Sequence, residues 1–210
     1  MLGMFAPMAG ILANFRTTII VSLVLALIMM FAYGAGSPQQ FDLAFWQAVL
    51  RWVHVFFGIL WIGLLYYFNF VQIRKMPDIP AELKPAVSKY IAPEALFWFR
   101  WAALFTVIAG ILLAFARGTD YAIGVLSVGA TEGFEPGYVL MGVGVWLAIV
   151  MFINVWGFIW PNQKRALGIV PADDETKARS ARTAMLFSRT NLLLSLPMLV
   201  AMTMQQTMFG

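Results

Sequence analysis

Cysteine is absent from this 210-residue chain, which excludes disulfides, thiolate ligation, iron–sulfur clusters and covalent c-type haem attachment within it. The absence says nothing about compartment. Histidine occurs once, at His54, so a pair of imidazoles from one chain cannot hold an iron between them. Charge is scarce as well: Asp, Glu, Lys and Arg make up 11% of the residues, 14 cations against 10 acids. A chain that is 61% hydrophobic, with a mean hydropathy of +0.81, has more apolar surface than a soluble domain of this length can bury. These numbers indicate an all-α integral membrane protein. A net charge of +4 would suggest nucleic acid in a soluble protein. Here the cations gather in two connections beside apolar runs, and no nucleic-acid partner is expected. Missing too are a glycine-rich nucleotide loop, a serine-histidine-acid set and any His/Cys/Asp cluster at metal-ligand spacing.

What is present is organised around RWVHVFFGILWIGLLYYFNFVQIRK at 51–75. Between Arg51 and Arg74 there is neither a carboxylate nor a fixed cation, a length sufficient to cross a hydrocarbon core of roughly 30 Å. Helical spacing puts Arg51, His54, Gly58, Trp61, Leu65, Asn69 and Gln72 on one stripe, with Phe56, Ile59, Ile62, Tyr66 and Ile73 largely off it. Polar groups in a span avoid lipid, so the stripe is expected to face protein or a cofactor.

Five spans are expected, at about 17–35, 52–73, 96–116, 138–160 and 185–205, in a single membrane domain over 1–210. Residues 1–15 lack the basic start of a secretory signal and read as an interfacial arm. Prolines 77, 80, 85 and 93 break the second connection into short pieces, and YAIGVLSV, in the third connection, reads as a short surface helix. The second connection carries Arg74, Lys75, Lys84 and Lys89, and the fourth carries Lys164, Arg165, Lys177, Arg179 and Arg182. Only Arg51 and Arg117 border the other two. The positive-inside rule then places the amino terminus inside and the carboxyl terminus outside in a multi-pass membrane protein.

A lone intramembrane histidine has two readings: a haem-iron ligand, or a hydrogen bond across helices. Gly58, one turn further, lets a macrocycle lie flat against the helix or lets another helix approach. His54 with Arg51, Gly58 and Trp61 therefore forms the candidate cofactor face, with His54 as the metal ligand to a b-type haem. A second candidate set, for substrate, is the polar group toward the inner half: Asn69, Gln72, Arg100, Asn154, Arg189 and Asn191. Arg100, inside FWFRW, reads either as an interface anchor that snorkels to the headgroups or as a cation facing an anionic ligand. Gly142 and Gly144 read as helix-packing positions, and the acids at 173–175 as a solvated loop.

Four stretches together resemble the bacterial membrane-bound urate hydroxylase family: RWVHVFFGILWIG at 51–63, FWFRW at 97–101, NVWGFIWPNQKRALG at 154–168 and SRTNLLLSLPMLVAMT at 188–203. They run through most of the chain in the family's order. The resemblance implies a redox membrane protein. Longer members carry a cytochrome c domain after the membrane part, which implies electrons passing outward to a respiratory chain. The family pattern has further histidines where this chain has Gly142, Thr190 and the Gln205-Gln206 pair, so His54 alone is left for haem. The rival expectation is a non-catalytic transmembrane accessory subunit of a respiratory or photosynthetic complex. A small-molecule carrier using the inner polar group is a third, for which five spans without an internal repeat give little support. Partners expected on these readings are membrane lipids, a cytochrome c or complex subunit, and a second copy of the chain.

Overall fold

The computed structural model describes residues 6–38 and 40–209, and those residues form helices joined by turns, with no strand among them. In chain order the helices are α1 (Ala6–Ala13), α2 (Phe15–Gly36), α3 (Leu43–Asp78), α4 (Lys84–Ala116), α5 (Thr119–Leu126), α6 (Pro136–Ala166) and α7 (Asp174–Met208). Five of them, α2, α3, α4, α6 and α7, are long and apolar enough to cross a membrane. This is an all-α, five-span membrane protein. By contacts the chain divides into two compact units, Met1–Val49 and Leu50–Gly210.

In the first unit, residues 1–5 of the expected interfacial arm lie outside the described residues, and the remainder includes α1. Asn14 separates α1 from α2 by accepting the Thr17 N–H at 3.2 Å, the usual N-cap bond. Asp42 does the same for α3, accepting from Phe45 N–H at 2.9 Å. Phe31, Phe41 and Phe45 bring their rings to within 6.0 Å of one another.

The second unit packs the rest of α3 with α4, α6 and α7. Its core holds Trp61, Leu65 and Phe68 of α3, Leu96, Phe99, Ala102 and Ala103 of α4, Met151, Val155 and Ile159 of α6, and Met198 of α7. The α3 stripe faces this core: Trp61 and Leu65 are 1% and 0% exposed, against 69% for Ile59 on the opposite side. Ile62, placed off the stripe by spacing, is buried as well, so the protein-facing arc is wider than a single stripe. On α7 the buried positions are Ser180, Ala184, Ser188, Asn191, Ser195, Met198, Ala201 and Gln205. That is a helical stripe of mostly small or polar side chains. Lipid tails are as apolar as leucine, so such helices associate through close approach and interhelical hydrogen bonds rather than by escaping water.

The helices outrun the expected spans because the connections themselves wind. Three π-helical turns lie within them, at Tyr67–Gln72, Val87–Ile91 and Asn154–Ile159, where the amides of Ile73, Ala92 and Trp160 reach back five residues to Phe68, Val87 and Val155. The fourth span, expected over about 138–160, continues as α6 through Pro161 to Ala166. A proline in a helix clashes with the carbonyl four residues back, and the wider π turn directly before Pro161 displaces that carbonyl. The acids at 173–175 are not a free loop either. Asp173 caps α7, accepting the Thr176 N–H at 2.7 Å and its hydroxyl at 2.9 Å, with Asp174 and Glu175 in the first turn.

The surface helix expected in the third connection is α5, packed on α6. Gly142 is required there: a Cβ would run into the Val125 carbonyl and lie 2.9 Å from Val128 Cα. Gly144 serves the α6–α7 contact in the same way, since a Cβ would come 2.8 Å from that of Ala201.

Candidate functional site

Two groups of candidate residues lie at different levels of the second unit. At the Arg51 end of α3, His54 Nδ1 is 2.8 Å from the backbone carbonyl of Thr106 on α4. A carbonyl can only accept, so Nδ1 carries the proton and donates. Nε2 keeps its lone pair, with no hydrogen-bond partner among the described residues. The Thr106 hydroxyl is engaged separately, donating to Ala102 O at 2.7 Å. The imidazole lies directly against Gly110, where a Cβ would be 2.9 Å from Nδ1 and Cε1.

Thr106 and Gly110 were not among the residues singled out from sequence, and Gly58 was. A Cβ at Gly58 would meet nothing closer than Thr106 Cγ2 at 3.8 Å, an ordinary contact. Close helix approach therefore demands glycine at 110 and not at 58. Of the other candidates on this face, Trp61 lies two turns deeper in the core, with its indole Nε1 buried and without an acceptor among the described residues. Arg51 is exposed. Its charge acts on Tyr121 of α5, whose phenol is pushed up by burial and pulled back by the guanidinium groups of Arg117 and Arg51. The structure thus joins His54 to Thr106 and Gly110, sets Gly58 beside the Thr106 methyl, and leaves Arg51 and Trp61 apart from them.

Toward the other end of the spans the amides form two sets. Asn154 Nδ2 donates to Asn191 Oδ1 at 2.8 Å, and Asn191 Nδ2 donates to Met151 O at 2.9 Å, all of it buried. Asn69 Nδ2 donates to Leu65 O and to Ser188 Oγ, both at 2.9 Å. Its Oδ1, like Gln72 Oε1, is buried without a donor among the described residues. One turn further along α7, Tyr66 OH and Ser195 Oγ meet at 3.3 Å.

The two cations proposed with these amides do not join them. Arg189 is exposed on α7, next to the buried Ser188 but turned away from it. Arg100 stacks on aromatic rings instead, its guanidinium carbon 3.8 Å from the Trp160 centroid. Both π turns nearest this region carry candidate amides, Asn69 and Gln72 in one and Asn154 in the other. A π turn shifts the helical phase, which is why 3.6-residue spacing alone does not place these side chains.

The donor set at His54 fits one axial bond to a haem iron: a neutral imidazole, oriented by a carbonyl through Nδ1, with Nε2 free to coordinate. Among the described residues no three His, Cys, Asp or Glu side chains come together as a metal site. An apolar cleft of about 500 Å³ is lined by Phe134, Pro136, Val139, Leu140, Val143, Met208 and Phe209, none of them a candidate residue. Comparison of the chain with protein-family models, with curated proteins and with solved structures finds no match.

Proposed function

We propose that the chain is a multi-pass redox protein of the bacterial inner membrane, urate-hydroxylase-like in kind, in which His54 Nε2 gives one axial ligand to a b-type haem. The observation that carries this reading is the 2.8 Å bond from Nδ1 to the Thr106 carbonyl. That bond selects the tautomer with Nε2 unprotonated and raises the basicity of the ligating nitrogen. A haem held by His54 would supply one-electron chemistry suited to exchange with a respiratory chain. Thr106 orients the imidazole, Gly110 gives the ring room against α4, and the only histidine of the chain is committed. A haem held there would have no second histidine of this chain to hold it. In this reading the amino terminus is inside and His54 lies about one turn below the outer surface.

The same geometry favours a second reading. The Nδ1–Thr106 bond and the packing on Gly110 tie α3 to α4 without any cofactor. In that case His54 is a helix lock in an accessory subunit of a respiratory or photosynthetic complex. One experiment decides between the two: absorption spectra of the protein and of His54→Ala, each purified in mild detergent. The redox reading expects a Soret band whose spectrum differs from a bis-histidine centre and which His54→Ala abolishes. A wild-type protein without that band, whose His54→Ala variant loses a co-purifying complex instead, overturns it in favour of the accessory subunit.

A further inference from the structure

Arg100 and Lys164 converge on one indole. The guanidinium carbon of Arg100 lies 3.8 Å from the Trp160 centroid and 5.4 Å from that of Phe97, and Lys164 Nζ lies 5.7 Å from the same Trp160 ring. The two cations are therefore no farther apart than those two Trp160 distances together. Neither makes an ion pair, and neither has a hydrogen-bond acceptor for its side chain among the described residues. Of the acids at this end of the helices, Asp78 pairs with Lys75 at 3.2 Å, Asp174 pairs with Lys177 at 3.0 Å, and Glu94 accepts from the Trp98 indole at 2.9 Å. Among the described residues no acid supplies either cation with a counter-charge.

The pair is also built rather than floating. Trp156 Nε1 donates to the Arg100 carbonyl at 3.2 Å, which ties the π turn of α6 to α4 beside the site. Arg100, Trp160 and Lys164 are half-buried, and Phe97, 42% exposed, continues the apolar wall away from the charges. Stacking leaves the N–H edge of the guanidinium free, and that edge matches phosphate oxygens. Two half-buried cations on one indole with an adjoining apolar face, on a helix long enough to span a membrane, suit a ligand that is a phosphate at one end and hydrocarbon at the other.

We infer that Arg100 and Lys164, around Trp160, bind the headgroup phosphate of an anionic glycerophospholipid whose acyl chains lie along α4 beside Phe97. The site is independent of His54 and of the redox reading. Its test is native mass spectrometry of the full chain equilibrated with equal amounts of phosphatidylglycerol and phosphatidylcholine. The wild type retains phosphatidylglycerol preferentially. Arg100→Gln and Lys164→Gln each reduce that preference about fivefold, the effect of one cation at an anionic surface. Arg165→Gln, an exposed neighbour without an indole contact, leaves it unchanged. Lys164 sits near a helix end, so its variant carries the test even where Arg100→Gln fails to fold. Equal retention of the two lipids, or an Arg165→Gln loss as large as that of Lys164→Gln, overturns the site. Loss of the lipid adduct on adding inorganic phosphate at the lipid's concentration assigns the pocket to free phosphate and overturns the lipid proposal.

Discussion

Asn191 is fully buried and uses both ends of one amide, accepting from Asn154 and donating to the Met151 carbonyl. Asn154 makes only the first of these bonds. Interhelical hydrogen bonds in a bilayer contribute about 0.6 kcal/mol on average and at most about 1.7. Asn154→Leu is therefore expected to cost less than about 1.7 kcal/mol, and Asn191→Leu clearly more, because it breaks two bonds and strands the Asn154 donor. Unfolding by denaturing detergent in mixed micelles measures both. The opposite order would show that the Met151 contact carries nothing. The residue scale also separates two glycines that look alike in sequence. Gly58 stands one turn from His54, but Gly110, 56 positions along, is the one pressed by its ring.

At the scale of elements, the start of α7 holds a titratable cap. Hydrogen bonds from the Thr176 N–H and then from its hydroxyl hold the Asp173 carboxyl below the usual carboxylate range. A folded-state pKa lower than the unfolded one means that the cap's contribution is fully present above the unfolded value, about 4. It is lost as pH falls through the folded value. Amide hydrogen exchange over the first turns of α7 is thus expected to be flat from neutral pH down to about 5, after correction for intrinsic rates, and to accelerate below about 4. Asp173→Asn keeps a good cap without the titration, and its corrected rates should show no such acid step. An acid step that persists in Asp173→Asn would locate the titrating group elsewhere. The same helix contains Pro197 and still runs unbroken from Asp174 to Met208, as spans do where neighbouring helices restrain the chain.

For the whole molecule, the proposed topology rests on the positive-inside rule applied to the cations of the second and fourth connections, with an odd number of spans sending the termini to opposite sides. A reporter active only outside the cytoplasm is expected to work when fused after Gly210 and to fail when inserted beside Asp173. The reverse result would invert every inside and outside assignment, including the depth argument for His54. The second unit is held by fit more than by hydrophobic gain: Gly142 against the Val125 backbone, Gly144 against Ala201, and the serine-alanine stripe of α7.

Spans, the lone imidazole and the basic connections were legible in the sequence because each depends on residues adjacent along the chain. A run of apolar side chains meets the thickness of a bilayer wherever it folds, and charges stop a span locally. The His54 partner had no such signature, since it is a backbone carbonyl 52 residues away that any side chain at 106 would have carried. Nor did spacing separate Arg100, stacked on Trp160, and Arg189, exposed on α7, from the amides they were grouped with. Their directions depend on how α4, α6 and α7 are rotated against one another. That rotation is decided through space, by which small side chains let two backbones close and where a π turn has moved the helical phase.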